Sequence, residues 1–299
     1  MNAYVEAARP RTLPAALAPV LVGTAAATTP LAELSVLRAA LALIVALALQ
    51  VAVNYANDYF DGVRGVDTEA RVGPRRAVAS GLIAPPAMKR AIGVALLVAG
   101  LAGLALALLV GLELLLVGVA AGLATLGYSG GPKPYASAAL GEVMVFVFFG
   151  LVATAGSAYV QDGSLGLLPI VAAIPIGAFA VALLVVNNLR DIPTDRDVGK
   201  RTLAVVLGEA RTRKLFVGLI GIAYLSVVPI GFLTGSPWAA LPVLSIMAAW
   251  PGVALVRHAP IGPRLIAALG ATARGQLVYA ALLTTALVLV ASSAAGTPA

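Results

Sequence analysis

Two short polar clusters in an otherwise apolar chain carry the residue types best suited to chemistry. One runs Asn57-Asp58-Tyr59-Phe60-Asp61, with Asp67 beyond it, and the other runs Asn187-Asn188-Leu189-Arg190-Asp191, followed by Asp195 and Asp197. Asn57 and Asp61 map onto Asn187 and Asp191 at one constant offset of 130 residues. Each cluster follows a long apolar run, Val36 to Val53 and Pro169 to Val186. Carboxylates at membrane depth are expensive and are retained there mainly for ion or substrate chemistry. Positions i and i+4 share a helix face, so Asn57 and Asp61 point one way, and Asn54 and Asp58 point one residue round from them. Neighbouring carboxylates repel and take up a proton unless a cation lies between them. Magnesium removes that conflict and favours one or two carboxylates plus phosphate oxygens and water. The C-terminal ends of the two helices add partial negative charge that attracts a cation.

The second cluster is less regular. Pro193 lacks a backbone donor and biases Ile192 away from helix, so Asp191 is expected to end a helix and Asp195 to sit in a turn or a short following helix. Basic residues follow both clusters: Arg71, Arg75 and Arg76 after the first, Lys200 and Arg201 after the second. Lys133 stands alone on the glycine-rich turn Tyr128-Ser129-Gly130-Gly131-Pro132-Lys133-Pro134. Carboxylates that chelate a metal, together with Arg and Lys, make a clamp for a diphosphate.

The elements that position these clusters lie in a membrane. The 299 residues are 61% hydrophobic and 11% charged, with mean hydropathy +0.99. Soluble domains carry roughly 45–50% apolar and about 25% charged residues, so the chain reads as an all-α integral membrane protein. The N-terminus lacks the basic, apolar and cleavage regions of a signal peptide, and Leu13 to Thr28 reads as a permanent span. The chain has no cysteine and a single histidine, His258. Thiolate metal sites and iron–sulfur clusters are excluded on that count, haem or zinc chemistry is not expected of a lone histidine, and any metal is expected to be hard and oxygen-liganded.

Nine spans are expected, near 12–28, 36–57, 88–109, 112–128, 139–160, 167–190, 213–233, 238–256 and 275–294. With the N-terminus in the cytoplasm, nineteen of the twenty Lys and Arg residues fall on the cytoplasmic side, and only Arg38 lies outside. That is the positive-inside pattern, so the isoelectric point near 10 reflects orientation in the membrane and not nucleic acid binding. Both clusters open long cytoplasmic loops, at about 58–87 and 191–212. Residues 1–299 form one transmembrane domain, with parallel halves at about 10–130 and 138–256 and a final helix at about 275–294. Pro19, Pro175, Pro229 and Pro242 lie inside spans, where kinks help open a cavity.

Asp58-Tyr59-Phe60-Asp61-Gly62 resembles the opening of the membrane CDP-alcohol phosphotransferase motif, but the rest of that motif is absent. The chain as a whole resembles the UbiA superfamily of intramembrane prenyltransferases. That family carries an Asn-x₃-Asp motif with a further Asp, here Asn57, Asp61 and Asp67, and a second motif, here Asp191 and Asp195. The resemblance is nearest to the 1,4-dihydroxy-2-naphthoate (menaquinone) branch. It rests on Arg9-Pro10-Arg11-Thr12-Leu13, Asn54-Tyr55-Ala56-Asn57-Asp58-Tyr59, Gly130-Gly131-Pro132-Lys133-Pro134, Leu140-Gly141-Glu142 and Gly199-Lys200-Arg201-Thr202-Leu203. The six-residue gap from Asp61 to Asp67 suits that branch better than the 4-hydroxybenzoate enzymes.

The resemblance implies nine helices around a central cavity in the inner (plasma) membrane, with the active site facing the cytoplasm. It implies Mg2+ and two substrates, a polyprenyl diphosphate and 1,4-dihydroxy-2-naphthoate, and a reaction that releases carbon dioxide and diphosphate. The metal ligands expected are Asp58, Asp61, Asp67, Asp191 and Asp195. Asn57 and Asn188 are expected to orient carboxylates or diphosphate, and Lys133, Arg76 and Lys200 to contact phosphate. Arg9, Glu142 and Tyr128 fall to the acceptor side. The rival readings are a related transferase with another aromatic acceptor and a cation-coupled transporter, whose sites cluster nearer the midplane.

Overall fold

The computed structural model describes residues 2–28, 30–66, 73 and 75–295. A short helix, Ala3–Ala7, capped by Asn2, leads through a 3₁₀ turn at Pro10–Thr12 into α1, Pro14–Ala25. There follow α2 (Val36–Val63), α3 (Pro85–Leu109), α4 (Leu114–Gly127), α5 (Gly141–Asp162), α6 (Leu167–Asp197), α7 (Leu203–Thr234), α8 (Pro237–His258) and α9 (Arg264–Ala295). Seven of these, α2, α3 and α5 to α9, are long and apolar enough to cross a membrane, and α1 and α4 are shorter apolar helices. Among the described residues there is no strand, only an isolated bridge between Ala138 and Arg201.

Local chemistry accounts for the ends. Ser35 caps α2 by accepting from the Arg38 backbone N–H, and Thr202 caps α7 by accepting from Val205. Proline at the first turn starts α1, α3 and α8. Pro193 does not end α6 as expected. The helix runs on to Asp197, so Asp191 and Asp195 sit on one continuous helix. Proline here removes the helical donor to the Leu189 carbonyl, and the packing of this largely buried helix outweighs that loss. The Thr194 hydroxyl donates to the Asp191 carbonyl at 3.1 Å. The stop comes at Gly199, whose φ of +71° lets Lys200 N–H donate back to the Asp195 carbonyl at 2.8 Å.

Helix α6 is the central post, with 78% of its most apolar stretch buried against 17–39% in the other long helices. Phe179 on α6 meets Tyr279 of α9 at 5.3 Å between rings, and Tyr279 donates to the Ala223 carbonyl of α7 at 2.8 Å. The tightest pairings join α2 with α3, α6 with α7 and α8 with α9. Leucines and valines on the outer faces of α3 and α4 are exposed, as on a surface that meets lipid.

One end of the bundle is stitched by Arg38, which donates to the carbonyls of Val160, Gln161 and Leu109 at the C-terminal ends of α5 and α3. The opposite end holds the polar clusters and is closed by loops. Arg64 donates to the Ser129 and Gly131 carbonyls, tying the loop after α2 to the turn after α4. Ala139 N–H donates to the Arg201 carbonyl, tying that turn to the loop after α6.

Candidate active site

Asn57 on α2 and Asn187 on α6, the pair related by the 130-residue offset, stand where two cavities adjoin. The smaller cavity, about 30 Å³, is polar and is lined by Arg9, Arg76, Tyr128, Asn188, Asp191, Asp195 and Lys200 among others. The larger, about 260 Å³, is mostly apolar and runs between α2, α4, α5 and α6. Arg9, Asn57, Tyr128 and Asn187 line both.

One aspartate of each motif is paired with a base. Asp61 accepts from Lys200 Nζ at 2.9 Å, across from the loop after α6. Asp191 takes a two-pronged contact from Arg190, both bonds at 2.7 Å. Arg190 also donates to Asn187 Oδ1 at 2.7 Å. All three side chains of that group are largely buried, and buried charge is tolerable only when paired in this way. A Cβ placed on Gly73 would lie 3.4 Å from the Arg190 guanidinium carbon, so Gly73 packs close to that cation.

The remaining polar groups form a hydrogen-bonded ring around the junction. Arg9 adopts a left-handed φ of +51° and donates to Asn57 Oδ1 at 2.6 Å. Asn57 Nδ2 donates to Ser129 Oγ at 3.0 Å, and Asn188 Nδ2 donates to Glu142 Oε1 at 3.0 Å. Tyr128 stacks edge-on to Tyr135 at 5.4 Å, and Tyr135 donates to the Ala124 carbonyl. Burial holds the Tyr135 phenol above the ordinary tyrosine range, so it is a neutral donor.

Four expected site residues line neither cavity: Asp61 and Glu142, which are bonded to the lining residues Lys200 and Asn188, and Asp58 and Lys133. Asp58 lines neither cavity; its two carboxylate oxygens accept from the backbone N–H groups of Ala77 and Val78 at 3.0 and 2.8 Å. Asp58, expected as a metal ligand, here holds the chain that returns after α2. Lys133 is exposed and lines neither cavity, since the turn that carries it projects outward. Asp67 and Arg71 lie outside the described residues. Asn187, Arg190, Ser129, Thr12 and Asn54, which the motifs contain without an assigned role, join the site, and so does Gln50, which lies outside them. A glutamine inside the apolar run of α2 was the available signal for Gln50.

The donor set fits a hard cation. Among the described residues no three acidic side chains converge. The acids are instead divided, Asp61 on α2 and Asp191 with Asp195 on α6. That division suits magnesium, which takes one or two carboxylates and completes its shell with phosphate oxygens and water. Arg9, Arg76 and Lys200 on the same cavity suit the phosphates themselves.

The apolar cavity has a graded wall. On α2 the lining positions 42, 45, 46, 49, 50, 53, 54 and 57 form one helical stripe, apolar at its deep end and amide-bearing at its mouth. That stripe extends about 22 Å at the α-helical rise. On α5 the lining positions 144, 148, 152, 156 and 160 recur every fourth residue. An α-helix would drift about 40° per four residues, but the π-helical stretch Phe146–Val152 has wider turns and keeps this row facing the cavity.

Residues 16–268 match the model of the UbiA prenyltransferase family. The chain is 44% identical to 1,4-dihydroxy-2-naphthoate octaprenyltransferase of Mycobacterium tuberculosis, over 95% of this chain and 96% of that one. It is 40% identical to the protein of the same name from Escherichia coli, over 73% of each. Its fold is similar to that of a UbiA homolog from Archaeoglobus fulgidus solved with DMAPP and Mg2+, at TM-score 0.69 and 16% identity, covering 97% of this chain and 99% of that one. It is also similar to a UbiA homolog from Aeropyrum pernix K1, at TM-score 0.69 and 16% identity, covering 92% and 96%. The chain belongs to the UbiA prenyltransferase family.

Proposed function

We propose that this protein is a magnesium-dependent 1,4-dihydroxy-2-naphthoate polyprenyltransferase. It moves a polyprenyl group from its diphosphate to the naphthoate ring and forms a demethylmenaquinol, carbon dioxide and diphosphate. The observation that carries the reading is the junction of a polar, base-lined cavity with a long apolar one at Asn57 and Asn187. A polyprenyl diphosphate has the same two-part character. The names of the relatives at 40–44% identity support the acceptor.

The chemistry divides accordingly. Magnesium, when bound, neutralises the leaving diphosphate. Asp61, Asp191 and Asp195 are the residues that would hold it, and Arg9, Arg76 and Lys200 would bind the phosphate oxygens. Asp67 belongs to the same proposed set on its motif position. Breaking the allylic carbon–oxygen bond sends its electron pair to the diphosphate and leaves a cation that the apolar walls shield from water. The electron-rich ring then attacks the allylic carbon. Loss of carbon dioxide returns the carboxyl bonding electrons to the ring and restores aromaticity. We place the polar end in the cytoplasm of the inner (plasma) membrane, with nine spans and the N-terminus on the same side, on the charge distribution of the loops. The transporter reading is disfavoured because the acids sit at one end of the bundle and lead into basic loops.

The test uses purified protein in nanodiscs with carboxyl-labelled dihydroxynaphthoate, octaprenyl diphosphate and Mg2+. Labelled carbon dioxide and a prenylated naphthol should appear in equal amounts and vanish with a chelator. Absence of both products from well-folded protein would overturn the assignment.

A further inference from the structure

Just inside the apolar cavity, below the diphosphate clamp, sits a shelf of amides that the clamp does not use. Gln50 and Asn54 lie on the α2 stripe about two turns and one turn deeper than Asn57, roughly 10 Å and 5 Å along the axis. They are 6% and 5% exposed and line the cavity. Their orientation is fixed by groups that can act in only one sense. Asn54 Nδ2 donates to the Ala8 carbonyl at 2.9 Å and to Thr12 Oγ1 at 3.1 Å. The Thr12 hydroxyl donates its one proton to the Arg9 carbonyl at 2.9 Å. Thr12 Oγ1 can then only accept, so Gln50 meets it with Nε2, at 3.3 Å. Both amide oxygens are left as acceptors with no partner among the described residues, beside an apolar cavity.

Acceptors that open onto a cavity in this way take a donor from whatever fills it. A prenyl tail carries none, and ionised diphosphate oxygens are themselves acceptors and would be repelled. A ring bearing hydroxyl groups meets the need. We propose that Gln50 and Asn54 form the acceptor subsite and that their amide oxygens accept hydrogen bonds from the phenolic hydroxyls of a dihydroxyaromatic acid. The subsite selects the diol over ring acids that lack a hydroxyl. This rests on the prenyltransferase reading above and assigns where, and by which atoms, its aromatic substrate is recognised.

Acceptor binding is read from the fluorescence of 1,4-dihydroxy-2-naphthoate titrated onto the wild-type protein in nanodiscs, and KM for each substrate is measured separately. Gln50→Leu and the closer isostere Gln50→Met should each weaken acceptor binding and raise acceptor KM about tenfold, the size expected from one hydrogen bond. KM for octaprenyl diphosphate should stay within about twofold. Wild type should bind 1-hydroxy-2-naphthoate more weakly than the diol, and the Gln50 variants should narrow that gap. Equal binding of the two acids by wild type, unchanged acceptor KM in the variants, or a matching rise in both KM values would each overturn the subsite. Wild type that does not turn over the diol at all would instead overturn the function reading, so the two failures are distinguishable.

Discussion

Asp58 and Asp61 are three residues apart on one helix and do different work, because what each carboxylate faces decides its role. Asp61 meets Lys200, whereas Asp58 holds two backbone N–H groups of the loop after α2. Asp58→Ala leaves both donors buried without an acceptor and should cost about 2–4 kcal/mol of stability at roughly 1–2 kcal/mol per orphaned group. Thermal unfolding of the purified variant checks this, together with faster proteolysis at the loop after α2; unchanged unfolding would remove the anchor role. Helical spacing in the sequence makes plain that Asn57 and Asp61 share a face, but it is silent on which neighbour that face meets. For that reason the sequence singles out all four of Asn57, Asp191, Asp58 and Lys133 alike, whereas only Asn57 and Asp191 line the polar cavity. Arg38, the single base on the far side by charge count, is explained by position: it satisfies helix-end carbonyls that carry partial negative charge.

The element that most shapes the cavity is the π-helical stretch of α5. Its extra width keeps Phe148, Val152 and Gly156 aligned on the cavity, and it is held against α6 by a contact between Gly150 and Gly177. A Cβ on Gly177 would lie 2.8 Å from the Phe146 ring, and one on Gly150 would lie 2.6 Å from the Gly177 Cα. Gly177→Val therefore forces α5 and α6 apart and should destabilise by about 1–3 kcal/mol or more, as overpacked cores do. A lowered unfolding midpoint in detergent is the expected readout, and wild-type stability would show that the helices part freely. Apolar runs delimited the helices well, because span length is set by the bilayer. The π stretch has no such signature, since it arises from packing between glycines far apart in the chain. Pro193 misled for a related reason: the packing of the largely buried α6 outweighs the backbone donor that a proline removes.

At the scale of the whole molecule, polarity is sorted along one axis. Bases, acids and amides gather at the loop-bearing end, amides with Arg9, Thr12 and Tyr128 occupy the mouth of the apolar cavity, and apolar side chains line its depth. That sorting suits the proposed substrates, a charged leaving group, a polar ring and a greasy tail in sequence, and the two motifs within it are matched but not identical. Asp61 is neutralised from another loop by Lys200, and Asp191 from its own helix by Arg190. The central claim is that these two carboxylates, one from each motif, together organise diphosphate departure. The most direct measurement is diphosphate released per prenylated naphthol formed, in Asp61→Ala and Asp191→Ala proteins confirmed as folded and inserted. Each variant should lose turnover by about a thousandfold or more, as expected when charge stabilisation of a leaving group is removed. Turnover near the wild-type rate in either variant would contradict the account.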